Sequence, residues 1–118
     1  MKAIRLFILL NSMIIFGCNS QVKFDKIKWT TKEYPEAPPE QRERMIKDLT
    51  TNYKLVGMSR MKVIDLLGEP DGTDDSTFFY DITVDYGSDI DPVAGKNLEL
   101  YFNSDSVVNS VKVREWKN

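Results

Sequence analysis

The chain has 118 residues, 42% of them apolar, with 16 Lys and Arg against 18 Asp and Glu, one cysteine and no histidine. That length holds a single small domain. The missing histidine excludes a Ser-His-Asp triad and imidazole metal ligation. The lone cysteine excludes an intrachain disulfide and any zinc site built from several cysteines, with or without histidines. A net charge of −2 lacks the basic excess of a nucleic-acid binder.

Residues 1–17 read as an export signal that ends just before Cys18. Lys2 and Arg5 make a short positive start, and no acid precedes Asp25. Leu6 to Phe16 is an apolar run of about 11 residues broken by Asn11 and Ser12, where spanning a ~30 Å hydrocarbon core takes ~20. It has the length of a signal-peptide apolar region. Ile15-Phe16-Gly17-Cys18 resembles a bacterial lipobox. The resemblance implies cleavage between Gly17 and Cys18, a diacylglyceryl thioether on the Cys18 sulfur and acylation of the new amine. Several acyl chains on one residue anchor stably where one does not. Asn19 stands where an inner-membrane retention signal has Asp, so the expected address is the cell envelope, lipid-anchored, at the outer membrane facing the periplasm. Cleavage removes two cations and no acid, leaving a more acidic mature chain.

Residues 18–38 read as a tether, stiffened by Pro35 and Pro38, with Pro39 just beyond. Val22, Phe24 and Ile27 are apolar enough for a brief strand, or for packing on the domain or at the bilayer interface. Trp29 suits either an interfacial role or docking on the domain. Residues 39–118 form the domain.

A first helix is predicted from Pro39 or Glu40, since proline suits the first helical turn and Glu40 and Glu43 complement the positive end of the dipole. Met45, Ile46, Leu49 and Tyr53 form its apolar stripe, and it fades by Asn52. A second helix is capped by Ser59, carries Val63, Ile64, Leu66 and Leu67, and is stopped by Gly68 and Pro70. Three strands follow. Phe78, Tyr80, Ile82, Val84 and Tyr86 alternate with Phe79, Asp81, Thr83 and Asp85. Leu98, Leu100 and Phe102 alternate with Glu99, Tyr101 and Asn103. Asn103 to Ser106 has hairpin-turn chemistry, and residues 107–116 close the sheet. The expected fold is α+β: two helices packed on one face of a three-stranded antiparallel meander, a two-layer sandwich. The predicted core is Leu49, Ile64, Leu67, Tyr80, Ile82, Leu98, Leu100, Phe102, Val111 and Val113.

Leu55-Val56-Gly57-Met58-Ser59, then Val63-Ile64-Asp65-Leu66-Leu67-Gly68-Glu69-Pro70, then Phe78-Phe79-Tyr80 and Leu98-Glu99-Leu100-Tyr101-Phe102-Asn103 resemble the SmpA/OmlA (BamE-like) family of small outer-membrane lipoproteins. The matching order covers residues 55–113. The resemblance implies a membrane-anchored, non-catalytic protein-interaction module, an accessory of outer-membrane protein assembly or envelope integrity, whose partner is an envelope protein. The same α-α-β-β-β order also resembles the repeat of secreted β-lactamase-inhibitor proteins. That resemblance implies the alternative of an inhibitor or binding protein for a secreted or surface enzyme.

No catalytic constellation stands out. Asp71, Asp74, Asp75, Asp81, Asp85, Asp89 and Asp91 fall in turns or on an outward strand face, where water keeps carboxylates ordinary. Asp71–Asp75 and Asp89–Asp91 lack the spacing of a calcium loop, so neither metal nor cofactor is expected beyond the lipid on Cys18. The sharper candidate is the outward sheet face. Alternation turns Phe79, Tyr101 and Trp116 away from the core among Asp81, Asp85, Glu99, Lys112 and Arg114, and aromatics with Arg are what interface hot spots favour. Phe79, Tyr101, Arg114 and Trp116 are therefore the candidate partner-binding residues. Cross-strand pairing that merely stabilises the sheet, or a cover from Phe24 and Trp29, is the competing role.

Overall fold

A computed structural model describes residues 21–117 apart from Glu36 and Asp89. The expected signal, the Gly17–Cys18 cleavage point and the lipidated Cys18 lie outside the described residues. Three helices, α1 (Lys26–Thr30), α2 (Gln41–Asn52) and α3 (Arg60–Leu67), precede β1 (Gly72–Asp74), β2 (Thr77–Asp85), β3 (Ala94–Phe102) and β4 (Val108–Lys117). The strands form one antiparallel sheet in the order β1-β2-β3-β4. The class is α+β as predicted, with one helix and one strand more among the described residues than the two and three expected.

The two longer helices arise where their signals stand. Ser59 Oγ accepts the Lys62 N–H at 3.2 Å, and Gly68, at φ 80°, ends α3 while its N–H returns to the Ile64 carbonyl at 2.8 Å. Met45 and Leu49 of α2 and Val63 and Leu67 of α3 are fully buried against Tyr80, Ile82, Leu98 and Leu100 of the sheet. β3 and β4 are joined as the turn chemistry requires: Asn103 Oδ1 accepts the Asp105 and Val107 N–H groups at 2.9 and 3.2 Å, and Ser106 takes a left-handed φ of 63°.

The segment expected to be a tether is built into the fold from Val22 onward. Its N–H groups lie along α2: Val22 donates to the Arg44 carbonyl (3.0 Å), Phe24 to Asp48 Oδ2 (2.8 Å) and Asp25 to Met45 Sδ (3.2 Å). The Phe24 N–H is the chief reason the Asp48 carboxyl is held below its ordinary range. Instead of a strand over residues 22–27, Asp25 caps α1 by accepting the Ile27 and Lys28 N–H groups. α1 buries Trp29 completely, and Ile27 faces solvent. At Gly68 a side chain would meet Thr30 Cγ2 at 2.9 Å, so α1 packs directly on the end of α3. The Gly68 carbonyl also accepts the Tyr80 hydroxyl at 2.8 Å.

Arg42 closes this junction. It is 2% exposed. Its Nε donates to the Trp29 carbonyl (2.8 Å), and its Nη1 to Asp71 Oδ2 and to the Asp81 carbonyl (2.7 Å each). Its guanidinium also sits 4.9 Å from the Trp29 ring centre. One side chain thus ties α1, α2, the approach to β1, and β2.

Two expectations about the sheet are corrected. Alternation along β2 breaks at a bulge between Asp81 and Thr83, after which Val84 pairs with Gly95 and Asp85 with Ala94. The bulge carries Asp85 off the outer face and puts Val84 there. Val113, predicted to be core, is 43% exposed, and Val111 and Ile64 are only partly buried. β4 is the edge strand, and the buried helical residues stack on β2 and β3, so Val113 lies beyond the cover of the helices.

Candidate interaction face of the sheet

The register places Thr77, Phe79, Asp81 and Val84 of β2, Gly95, Asn97, Glu99 and Tyr101 of β3, and Ser110, Lys112, Arg114 and Trp116 of β4 on the face opposite the helices. All four predicted residues are there, and three of them converge around Glu99. Phe79 pairs with Glu99 from β2, Tyr101 follows two residues along β3, and Arg114 is diagonal to it on β4.

Glu99 is the centre of this group, which strand alternation did not single out. Its side chain is 5% exposed although it belongs to the outer face. The Tyr101 hydroxyl donates to Oε1, and Arg114 Nε lies 3.2 Å from Oε2. Arg114 Nη2 also donates to the Tyr101 oxygen at 3.3 Å, and Lys112 Nζ sits 5.6 Å from the Tyr101 ring centre. The hydrogen bond to Glu99 raises the Tyr101 hydroxyl above its ordinary range, and Tyr101 and Glu99 together raise Arg114. The patch is therefore charge-neutral at its centre, aromatic on two sides and cationic along β4. Asn97 Oδ1, on the same face, is buried with no hydrogen-bond partner among the described residues.

Trp116 stands apart from this cluster, seated over Gly95. A Cβ at Gly95 would come within 2.8 Å of both the Thr83 carbonyl and the Trp116 ring, and the carbonyl is held in the sheet. Gly95→Ala is accordingly expected to cost about 1–3 kcal/mol and to unseat the indole. A denaturant midpoint unchanged from the parent, with an unaltered near-ultraviolet dichroism spectrum, would contradict this seat.

The aspartates expected in turns have local duties. Asp74 Oδ1 accepts the Ser76 N–H and Asp85 Oδ1 the Gly87 N–H. Asp71 pairs with Arg42 at 2.7 Å and Lys32 at 3.1 Å. Among the described residues no group of three or more His, Cys, Asp or Glu side chains is placed to hold a metal ion. No helix among them is long and apolar enough to cross a membrane. Phe24 and Trp29, the alternative cover for the outer face, are on the helical side, where Phe24 stacks near Trp29 and Tyr53 at 5.8 and 5.3 Å.

Comparison with protein-family models found no match, and searches among curated proteins and among solved structures each found none.

Proposed function

We propose that the chain is a lipid-anchored bacterial envelope protein whose domain is a non-catalytic interaction module of the SmpA/OmlA (BamE-like) kind, an accessory of outer-membrane protein assembly or envelope integrity. The observation that carries the proposal is the outer sheet face. Phe79, Tyr101 and Arg114 gather there around a satisfied Glu99, Trp116 lies farther along the same face over Gly95, and α1, α2 and α3 are on the other side. A rigid aromatic and Arg surface held by internal hydrogen bonds loses little entropy on binding. The lipobox at Ile15–Cys18 and the resemblance across residues 55–113 supply the address and the class of partner, an envelope protein.

Crosslinking and pull-down of the full chain from detergent extracts should enrich an outer-membrane assembly complex. The double variant Tyr101→Ala, Trp116→Ala should lower that recovery about tenfold, the scale of losing hot-spot aromatics. Equal recovery would remove the outer face as the binding surface. Cys18→Ser, run alongside, should abolish palmitate labelling and membrane retention, and unaltered labelling would overturn the anchor. A second reading, inhibition of a secreted or surface enzyme, draws on the same uncovered four-stranded sheet. It predicts that a hydrolase is recovered instead and that the chain slows its turnover.

A further inference from the structure

β4 leaves a sheet edge open. β3 pairs with one side of it from Ala94 to Phe102. On the other side only its beginning is occupied: the Gly57 N–H donates to the Val108 carbonyl at 2.9 Å, the Val108 N–H to the Met58 carbonyl at 2.8 Å, and Ser59 bridges Val107 antiparallel. From Asn109 to Lys117 that side has no strand partner among the described residues. Residues 57–59 therefore begin a strand-like addition that stops after one step, beside an edge whose remaining outward N–H and C=O groups can continue it.

The side chains along this edge specify what can be added. On the outer face it carries Lys112 and Arg114, and on the helical face Val111 and the exposed Val113. Glu115, its one acid, has Lys96 at 4.0 Å, whereas Lys112 and Lys117 make no ion pair among the described residues. The edge is thus basic on a chain whose formal charge is −2.

A second copy of β4 fits poorly. Opposed residues of an antiparallel pair share a face, so a two-fold axis must pass through a residue pair of one parity. The two long registers, pairing residues 108–116 or 109–117, set Lys112 against itself or against Arg114. Like charges directly opposed are destabilising, and cations on an edge are how proteins resist self-pairing.

We infer that β4 is a docking edge for an extended segment of a partner protein in which acidic and apolar side chains alternate. Its backbone continues the pairing begun by residues 57–59. Its acids lie beside Lys112 and Arg114, and its apolar residues cover Val111 and Val113. The inference rests on reading the domain as an interaction module, but it places the contact on the edge and gives the partner segment a chemistry.

The test is a titration of the isotope-labelled full chain in detergent micelles with a blocked nine-residue peptide alternating Glu and Val. Amides of residues 109–117 should shift and gain exchange protection at or below ~1 mM peptide. The matching Lys-Val peptide should bind about tenfold more weakly, and Lys112→Glu should reverse that preference. Shifts centred elsewhere, no dependence on peptide charge, or no binding by ~1 mM would overturn the inference. So would a β4-mediated dimer in sedimentation. Partner capture through Tyr101 and Trp116 reads the outer face and the titration reads the edge, so each can fail without the other.

Discussion

Trp29→Ala should destabilise the domain by about 3–5 kcal/mol, the range for emptying a buried aromatic site, and lower its melting temperature on the order of 20 °C. Trp29 is fully buried in a segment that composition marks as a linker. Its ring lies 5.8 Å from Phe24 and 6.3 Å from Tyr80, under the Arg42 guanidinium. Removing it opens a cavity where α1, α2 and β2 meet. Trp29→Phe should lose much less, because the indole Nε1 is buried without a hydrogen-bond partner among the described residues and nothing is forfeited with it. Thermal or urea unfolding decides the matter. A linker residue would change stability by less than ~0.5 kcal/mol, so a near-neutral Trp29→Ala would refute the packed N-terminal segment.

Arg42→Met is expected to cost about 3–5 kcal/mol, since it strips the nearer and more buried of two cations from a covered carboxylate, leaving it Lys32 and the Asp81 N–H, and takes the side-chain donor from the Trp29 and Asp81 carbonyls. The Asp71 side chain is 13% exposed. Burial by itself pushes its pKa up, but hydrogen bonds from Arg42, the Asp81 N–H and Lys32, together with the Arg42 charge, bring it below the ordinary value. A carboxyl whose folded pKa is depressed contributes stability that is present above its unfolded value of ~3.9 and is lost as pH falls through the folded one. The gap between parent and Arg42→Met should therefore be full at neutral pH and shrink below about pH 4. Asp81 works in the opposite sense. Burial and the Asp71 charge raise its pKa, so its share of stability grows on protonation, as pH falls through that raised value. A gap between the two proteins that stays constant from pH 7 to pH 2 would mean that Arg42 acts through packing alone.

What was legible in the sequence followed from periodicity and caps. Leu49, Leu67, Tyr80, Ile82, Leu98, Leu100 and Phe102 are buried as their spacing indicates, and Ser59 and Gly68 bound α3 where their backbone preferences put them. The three-residue β1 carries no apolar side chain, only Gly72, Thr73 and Asp74, so nothing in its pattern distinguishes it from the turn that follows. α1 is five residues long and buries a single side chain, too little for a helical period to register. Pattern also measures which residues are apolar, not which neighbours reach them. Val113 alternates correctly and remains exposed because no helix extends over the edge strand.

The outer face was legible as a set of residues and not as an arrangement. Strand parity alone puts Phe79, Tyr101, Arg114 and Trp116 on one side. That Glu99 is the hub, and that Gly95 makes the seat for Trp116, depends on the inter-strand register. The bulge after Asp81 could not be seen in a stretch whose alternation runs on unbroken through Asp85.

The attachment of residues 22–25 to α2 changes how far the domain can travel from a membrane. A tether running from Cys18 to Pro38 would allow an extended reach of ~70 Å, whereas the chain from Cys18 to Val22 spans at most ~14 Å. With Cys18 lipidated as proposed, the domain is held on a short leash close to the lipid headgroups. So anchored, it would sample only a thin shell beside the bilayer, and its sheet would meet only partners that are themselves near the membrane.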